Sequence, residues 1–128
     1  MPSAIIVEDE VLAAERLRVL LEECNVVLLK VFHHATAALE WLSVHEVDIV
    51  FTDINMPEIN GLEFVERIKR IAKKQPHVIF TTAYEEHALR AFELAAEDYL
   101  LKPIKIARLQ AALTRVQDNI EESADEFK

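Results

Sequence analysis

Five short apolar runs recur along this chain, and longer stretches with helical spacing separate them. The runs are Ala4–Val7, Val26–Phe32, Ile49–Thr52, Val78–Thr82 and Tyr99–Leu101. They are mostly continuous rather than alternating, the pattern of strands covered on both faces, and parallel sheets are covered in that way. The stretches between carry stripes at helical spacing: Ala13, Leu17, Leu20, Leu21 and Cys24, then Ala35, Ala38, Leu39 and Leu42, then Phe64, Val65, Ile68, Ile71 and Ala72. A fourth stripe runs Ala88, Leu89, Phe92, Ala96, and a fifth Ile106, Leu109, Leu113, Val116, Ile120. Five strand–helix units in 128 residues predict a single α/β domain, a doubly wound parallel sheet of five strands with five helices. Pro76 and Pro103 punctuate helix boundaries. The stripe fades in the closing "EESADEFK". Residues 1–118 are therefore read as the folded domain, and 119–128 as a polar tail or the start of a linker.

Composition narrows the function classes. With 52% hydrophobic residues the chain has a core to bury and is not of the disordered type. Fourteen basic against 23 acidic groups leave a net charge of -9, which disfavours direct binding to nucleic-acid phosphates. The lone Cys24 excludes an internal disulfide and closes an apolar helical pattern, so it reads as a packed thiol. The opening "MPSAIIVEDE" lacks the basic start and long apolar run of a signal peptide, and no segment reaches the ~20 apolar residues of a membrane helix. A soluble, cytoplasmic protein without membrane partners is expected. His33-His34, His45, His77 and His87 show no convergent spacing, so solvated or capping histidines are expected rather than a metal site.

The strand ends carry the chemistry. In an open parallel sheet, ligands bind outside the carboxyl ends of the strands. The first strand ends in Glu8-Asp9-Glu10 and the third in Asp53. If these strands are neighbours, Glu8, Asp9 and Asp53 converge and repel one another. A hard divalent cation relieves that repulsion, and an all-oxygen ligand set suits Mg²⁺. On these residues alone, solvated loop acids with Asp9 capping the first helix remain an equal reading. The fourth strand brings the Thr82 hydroxyl to the same edge, and "DYLLKPI" brings Lys102. Alone, Thr82 is a strand residue and Lys102 a snorkelling surface amine. Together they supply an ammonium and a hydroxyl donor for phosphoryl oxygens, beside an aspartate able to attack phosphorus.

The segments "IIVEDE", "DIVFTDINMPEINGLEF", "FTTAY" and "DYLLKP", in this order and spacing, closely resemble a bacterial two-component response-regulator receiver domain over about residues 4 to 118. The resemblance implies a flavodoxin-like fold with strand order 2-1-3-4-5. It implies Asp53 as phosphoacceptor, Mg²⁺ (or Mn²⁺) held by Glu8, Asp9, Asp53 and the backbone carbonyl of Asn55, Thr82 as switch hydroxyl and Tyr99 as switch aromatic. Lys102 would contact the phosphoryl group, and Pro103 would follow a cis peptide bond. Asn55 and Tyr84 occupy positions that tune loss of the phosphoryl group. A histidine kinase would be the donor, and the chain would be a regulator rather than an enzyme, with at most self-dephosphorylation. The readout surface would be the fourth helix, fifth strand and fifth helix, through which a homodimer forms, and Arg90, Glu93, Glu97, Asp98, Lys105 and Arg108 would place charges there. "AFELAAEDYLLKPI" is similar to receivers of LytTR-type transcription regulators, which implies DNA contact only through an output domain beyond residue 128. Two departures stand out: Glu8 replaces the more frequent Asp, and Ala96-Glu97 stands where many members have Gly-Ala.

Three rival readings remain. An aspartyl-phosphate phosphohydrolase needs a second acid two residues beyond its nucleophile, and here that position is Asn55. A degenerate receiver acting as a constitutive interaction module would lack part of the acid–Thr–Lys set, which is complete. A flavodoxin-like cofactor binder needs a hydroxyl- and glycine-rich loop after the first strand, where "EDEVLAAE" is acidic.

Overall fold

The computed structural model describes residues 1–84 and 96–125. Strands β1 (Ser3–Val7), β2 (Val27–Phe32), β3 (Ile49–Asp53), β4 (His77–Thr82) and β5 (Asp98–Leu101) form one parallel sheet in the order β2-β1-β3-β4-β5. Four helices are found among the described residues: α1 (Val11–Glu22), α2 (Ala35–Leu42), α3 (Gly61–Ile71) and α4 (Ile106–Asp125). The helix expected over Ala88–Ala96 lies almost wholly outside the described residues, as do Arg90 and Glu93. The last helix runs to Asp125, so the segment read as a polar tail continues α4 through most of its length.

Alternation along the strands divides the core between two faces. Ala4, Ile6, Ile49, Phe51, Ile79 and Leu100 point to one side and pack with Ala14, Leu17 and Leu21 of α1 and Leu109, Ala112 and Val116 of α4. Ile5, Val7 and Val50 point to the other side and meet Ala35, Ala38 and Leu42 of α2 and Phe64 and Ile68 of α3. Farther along that side, Val78 and Phe80 pack with Ile54 and Val65, and Tyr99 lies against this group. Each central strand thus needs apolar residues at every position, which is why its sequence does not alternate.

The second strand departs from the expectation of burial on both faces. It is a sheet edge, and Val27 and Leu29 remain 43% and 46% exposed, while Phe32 is buried at its carboxyl end. Only one of its sides carries a neighbouring strand, so its apolar run overstated its burial.

Helix α3 starts at the chain's single glycine for a steric reason. Gly61 has no positive φ. A Cβ there would lie 2.4 Å from the Asp53 carbonyl oxygen and 2.8 Å from the Ile54 Cα. The Gly61 amide also donates to the Ile54 carbonyl at 2.7 Å, and Asn60 Oδ1 caps the helix by accepting from the Glu63 amide at 2.8 Å. These contacts fold the loop tightly back beneath the end of β3.

Candidate phosphoryl and metal site

Parallel pairing puts four strand ends at one level. Val7 is in register with Thr52, Asp53 with Thr81, and Thr82 with Leu101. Glu8, Asp53, Thr82 and Lys102 therefore reach the same edge of the sheet. The acids are not solvated loop residues. Glu8 and Asp53 are 4% and 5% exposed, and one carboxylate oxygen from each of Glu8, Asp9 and Asp53 lies within 4.8 Å of the others. Asp9 does not cap α1: the N-cap is Glu10, without a side-chain cap bond.

Lys102 is the cation of this cluster. Its Nζ donates to Glu8 Oε1 at 2.6 Å and to Asp53 Oδ2 at 3.0 Å, so it is no snorkelling surface amine. Its backbone amide donates to the Thr82 carbonyl at 2.7 Å, and the peptide bond to Pro103 is cis. The Asn55 amide donates to Asp53 Oδ1 at 3.0 Å, which aims the Asp53 carboxylate across the strand end. The Glu10 amide approaches Glu8 Oε2 at 3.3 Å.

One lysine for several buried acids leaves the site short of positive charge. Burial pushes the Glu8 carboxyl up, Lys102 draws it back, and the neighbouring Asp53 charge raises it again. The outcome is a pKa raised from 4.5 to about 7. Burial lowers the Lys102 ammonium, but its bonds to Glu8 and Asp53 outweigh that and hold it above its ordinary value. Asp9 Oδ1 is buried and has no hydrogen-bond partner among the described residues. A buried, unpaired carboxylate oxygen is costly. Three converging oxygen donors with one such orphan fit a hard divalent cation.

Thr82 is fully buried, and its hydroxyl accepts from the Tyr84 amide at 3.0 Å. The Tyr84 side chain is half exposed. Tyr99 is half-buried on the strand next to Thr82, with the Arg108 guanidinium 5.6 Å over its ring centre. Beside the acids, a cleft of about 290 Å³ opens between α1 and the Pro103 turn, lined by Glu8, Glu10, Leu12, Arg16, Lys102 and Ile104.

Several predicted charges prove to be committed inside the molecule. Asp98 is 3% exposed and forms a two-pronged ion pair with Arg108, at 2.6 and 3.1 Å. Burial pushes the Asp98 carboxyl up, but Arg108, the Tyr99 amide and Arg115 bring it below its ordinary value. Glu97 accepts from Asn119 and pairs with His77 Nδ1 at 2.6 Å. Of the expected readout charges among the described residues, Lys105 is exposed without an ion-pair partner among them, and Arg108 keeps one face open.

The sequence reading also missed His33. Its Nδ1 lies 2.9 Å from the Glu8 carbonyl. A carbonyl only accepts, so Nδ1 carries the proton and donates. His33 thus anchors the backbone of an acid in the cluster. Only its position one residue beyond β2, at the same sheet edge, hinted at this.

Comparison with known proteins agrees with this geometry. Residues 4–114 match the model of the response regulator receiver domain. The transcriptional regulatory protein BtsR of Escherichia coli is 42% identical over 120 residues, covering 91% of this chain and 48% of BtsR. The response regulatory domain of protein mrkE from Klebsiella pneumoniae superposes with a TM-score of 0.84 at 36% identity, covering 94% of this chain and 98% of that one. Response regulator protein TrrA from Thermotoga maritima, solved in complex with Mg²⁺–BeF, gives 0.79 at 28% identity, covering 91% and 99%. The chain spans about half the length of the curated relatives it matches. Sheet order, acid cluster and sequence match together place this chain in the response regulator receiver domain family of two-component systems.

Proposed function

We propose that this domain is a phosphorylation switch in which Asp53 accepts a phosphoryl group from a histidine kinase. The observation that carries the reading is Lys102 joining Glu8 and Asp53 at the carboxyl edge of the sheet while Asp9 keeps an unpaired buried oxygen. Asp53 Oδ1 or Oδ2 attacks phosphorus, the bond to the kinase histidine nitrogen breaks, and the nitrogen retains that electron pair. An acyl phosphate results. Lys102 moves its bond from the carboxylate to a phosphoryl oxygen, and the Thr82 hydroxyl donates to another.

Glu8, Asp9, Asp53 and the Asn55 carbonyl are the groups that would hold Mg²⁺ or Mn²⁺. Such an ion supplies positive charge to the phosphoryl oxygens during transfer. The likeness to TrrA, whose structure contains Mg²⁺–BeF, supports this assignment. Each charge-assisted bond is worth roughly 1.5–3 kcal/mol net. About 5.5 kcal/mol moves a two-state equilibrium from 1:99 to 99:1. Two or three new bonds at the phosphoryl group therefore suffice to throw the switch.

Tyr99 turning inward as Thr82 engages the phosphoryl group would carry the change to β5, the last helix and the helix expected over Ala88–Ala96. A homodimer forming there, in the cytoplasm, would bring together output domains that contact DNA. The BtsR match supports a transcriptional output of this kind. Asn55 in place of a second acid favours a switch over a phosphohydrolase.

The test is incubation with acetyl phosphate and Mg²⁺, then intact mass. One phosphate adduct is expected on the native chain and none on Asp53→Asn. An adduct that survives the substitution sinks the reading. Tyr84, at the rim, shields the acyl phosphate from water. Tyr84→Ala should shorten the lifetime of the adduct severalfold, and an unchanged decay rate removes Tyr84 from that role.

A further inference from the structure

We infer that Arg108 is a positioning residue that holds the Tyr99 ring in the half-buried place it occupies in this structure and thereby sets how readily the switch is thrown. This rests on the proposed role of Tyr99 as the switch aromatic. Arg108 makes three contacts at once. Its guanidinium pairs with Asp98 through two bonds, Nη2 donates to the Tyr99 carbonyl at 2.9 Å, and the charged plane lies over the Tyr99 ring at 5.6 Å.

The anchor is firm because Asp98 is buried and its ionised form is favoured. Arg115 Nη1 stands 3.8 Å from Asp98 Oδ2 and adds a second positive charge. The backbone bond and the carboxylate do not depend on where the ring points. The ring contact does. An inward turn of Tyr99 about its χ1 bond leaves Asp98, the Tyr99 carbonyl and Arg108 in place, and gives up the guanidinium–ring attraction. Arg108 is thus a fixed plate against which the ring rests, and its attraction is a tax on the inward state. A planar guanidinium fulfils both roles because it can bind a carboxylate in its plane and a ring on its face.

A ligand that selects the inward state binds more weakly by the factor with which that state is disfavoured. A guanidinium over a ring at an open site corresponds to roughly a two- to fivefold factor. The experiment measures beryllofluoride affinity in the presence of Mg²⁺, together with the ¹³C resonances of the tyrosine rings, of which the chain has two. Arg108→Gln is expected to bind about two to five times more tightly than the native chain. Its Tyr99 signals in the free protein should move toward those of the beryllofluoride-bound native chain. In a Tyr99→Leu background, Arg108→Gln should leave the affinity unchanged, because the ring on which Arg108 acts is gone.

If Arg108→Gln alone fails to fold with Asp98 unpaired, the Asp98→Asn/Arg108→Gln pair removes both charges and reads the same shift. A native chain that binds beryllofluoride, with Arg108→Gln showing equal affinity and unmoved Tyr99 signals, overturns the inference alone. An equal gain with and without the Tyr99 ring also overturns it. A native chain that takes up no beryllofluoride overturns the phosphoacceptor reading, and the inference falls with it.

Discussion

Two buried acid sites sit on this one sheet, and they are finished to different degrees. At the start of β5, Asp98 meets a guanidinium through two bonds, a backbone amide and a second arginine, and its carboxyl lies below the ordinary range. At the carboxyl edge, Glu8 and Asp53 share one lysine, Asp9 keeps an unpaired oxygen, and Glu8 is raised to about 7. Burial opposes ionisation in both places. At Asp98 the partners outweigh it; at Glu8 they do not. The first site is a closed structural joint, and the second has room, electrostatically, for one more cation.

Breaking the closed site should have the largest effect. Asp98→Ala strips Arg108 of its anchor and leaves the Tyr99 amide without its acceptor. It should cost about 3 kcal/mol of folding stability in urea titration, the scale on which buried pairs fail when one partner is removed. A cost below about 1 kcal/mol would show the pair to be no better than a surface bridge.

Neutralising the open site should do the reverse. Glu8 has a higher proton affinity folded than unfolded, so metal-free stability from this group is full below about pH 4.5 and is lost as pH rises through about 7. Asp98, with its lowered carboxyl, contributes in the opposite sense: its share is present above 3.8 and is lost only in stronger acid. With chelator present at about pH 8, Glu8→Gln should therefore be more stable than the native chain by roughly 2–3 kcal/mol. The two should converge near pH 4.5. A variant less stable than the native chain at both values would mean that Lys102 satisfies Glu8 fully.

The smallest effect sharpens the metal assignment. A cation competes with the proton on Glu8, so Mg²⁺ affinity should fall about tenfold between roughly pH 8 and pH 6. Titration calorimetry reads this directly. Affinity independent of pH over that range would remove Glu8 from the ligand set.

The residues that were legible in the sequence are those whose role follows from local order. Ile49–Thr52 had to be a central strand, because a continuous apolar run of that length needs cover on both faces, and Asp53 follows at its end. Asp98 was read as a surface charge because nothing near it in the sequence reveals a partner ten residues on, in another element. His33 was read as solvated or capping, since its partner is a backbone carbonyl 25 positions away. Nothing local in the sequence explains Gly61: it has no positive φ, and the constraint is the Asp53 carbonyl pressed against its missing side chain.

The sequence by itself determined the alternation of strands and helices, the order of the acids, hydroxyl and lysine along the chain, and the family to which that order belongs. Periodicity and chain order act locally, so they survive without coordinates. Only the tertiary structure decided which acids are short of charge and which are satisfied. Glu8 and Lys102 stand 94 positions apart and Lys102 and Asp53 49 apart, and their proton affinities depend on distance and burial that exist only once the strand ends are aligned.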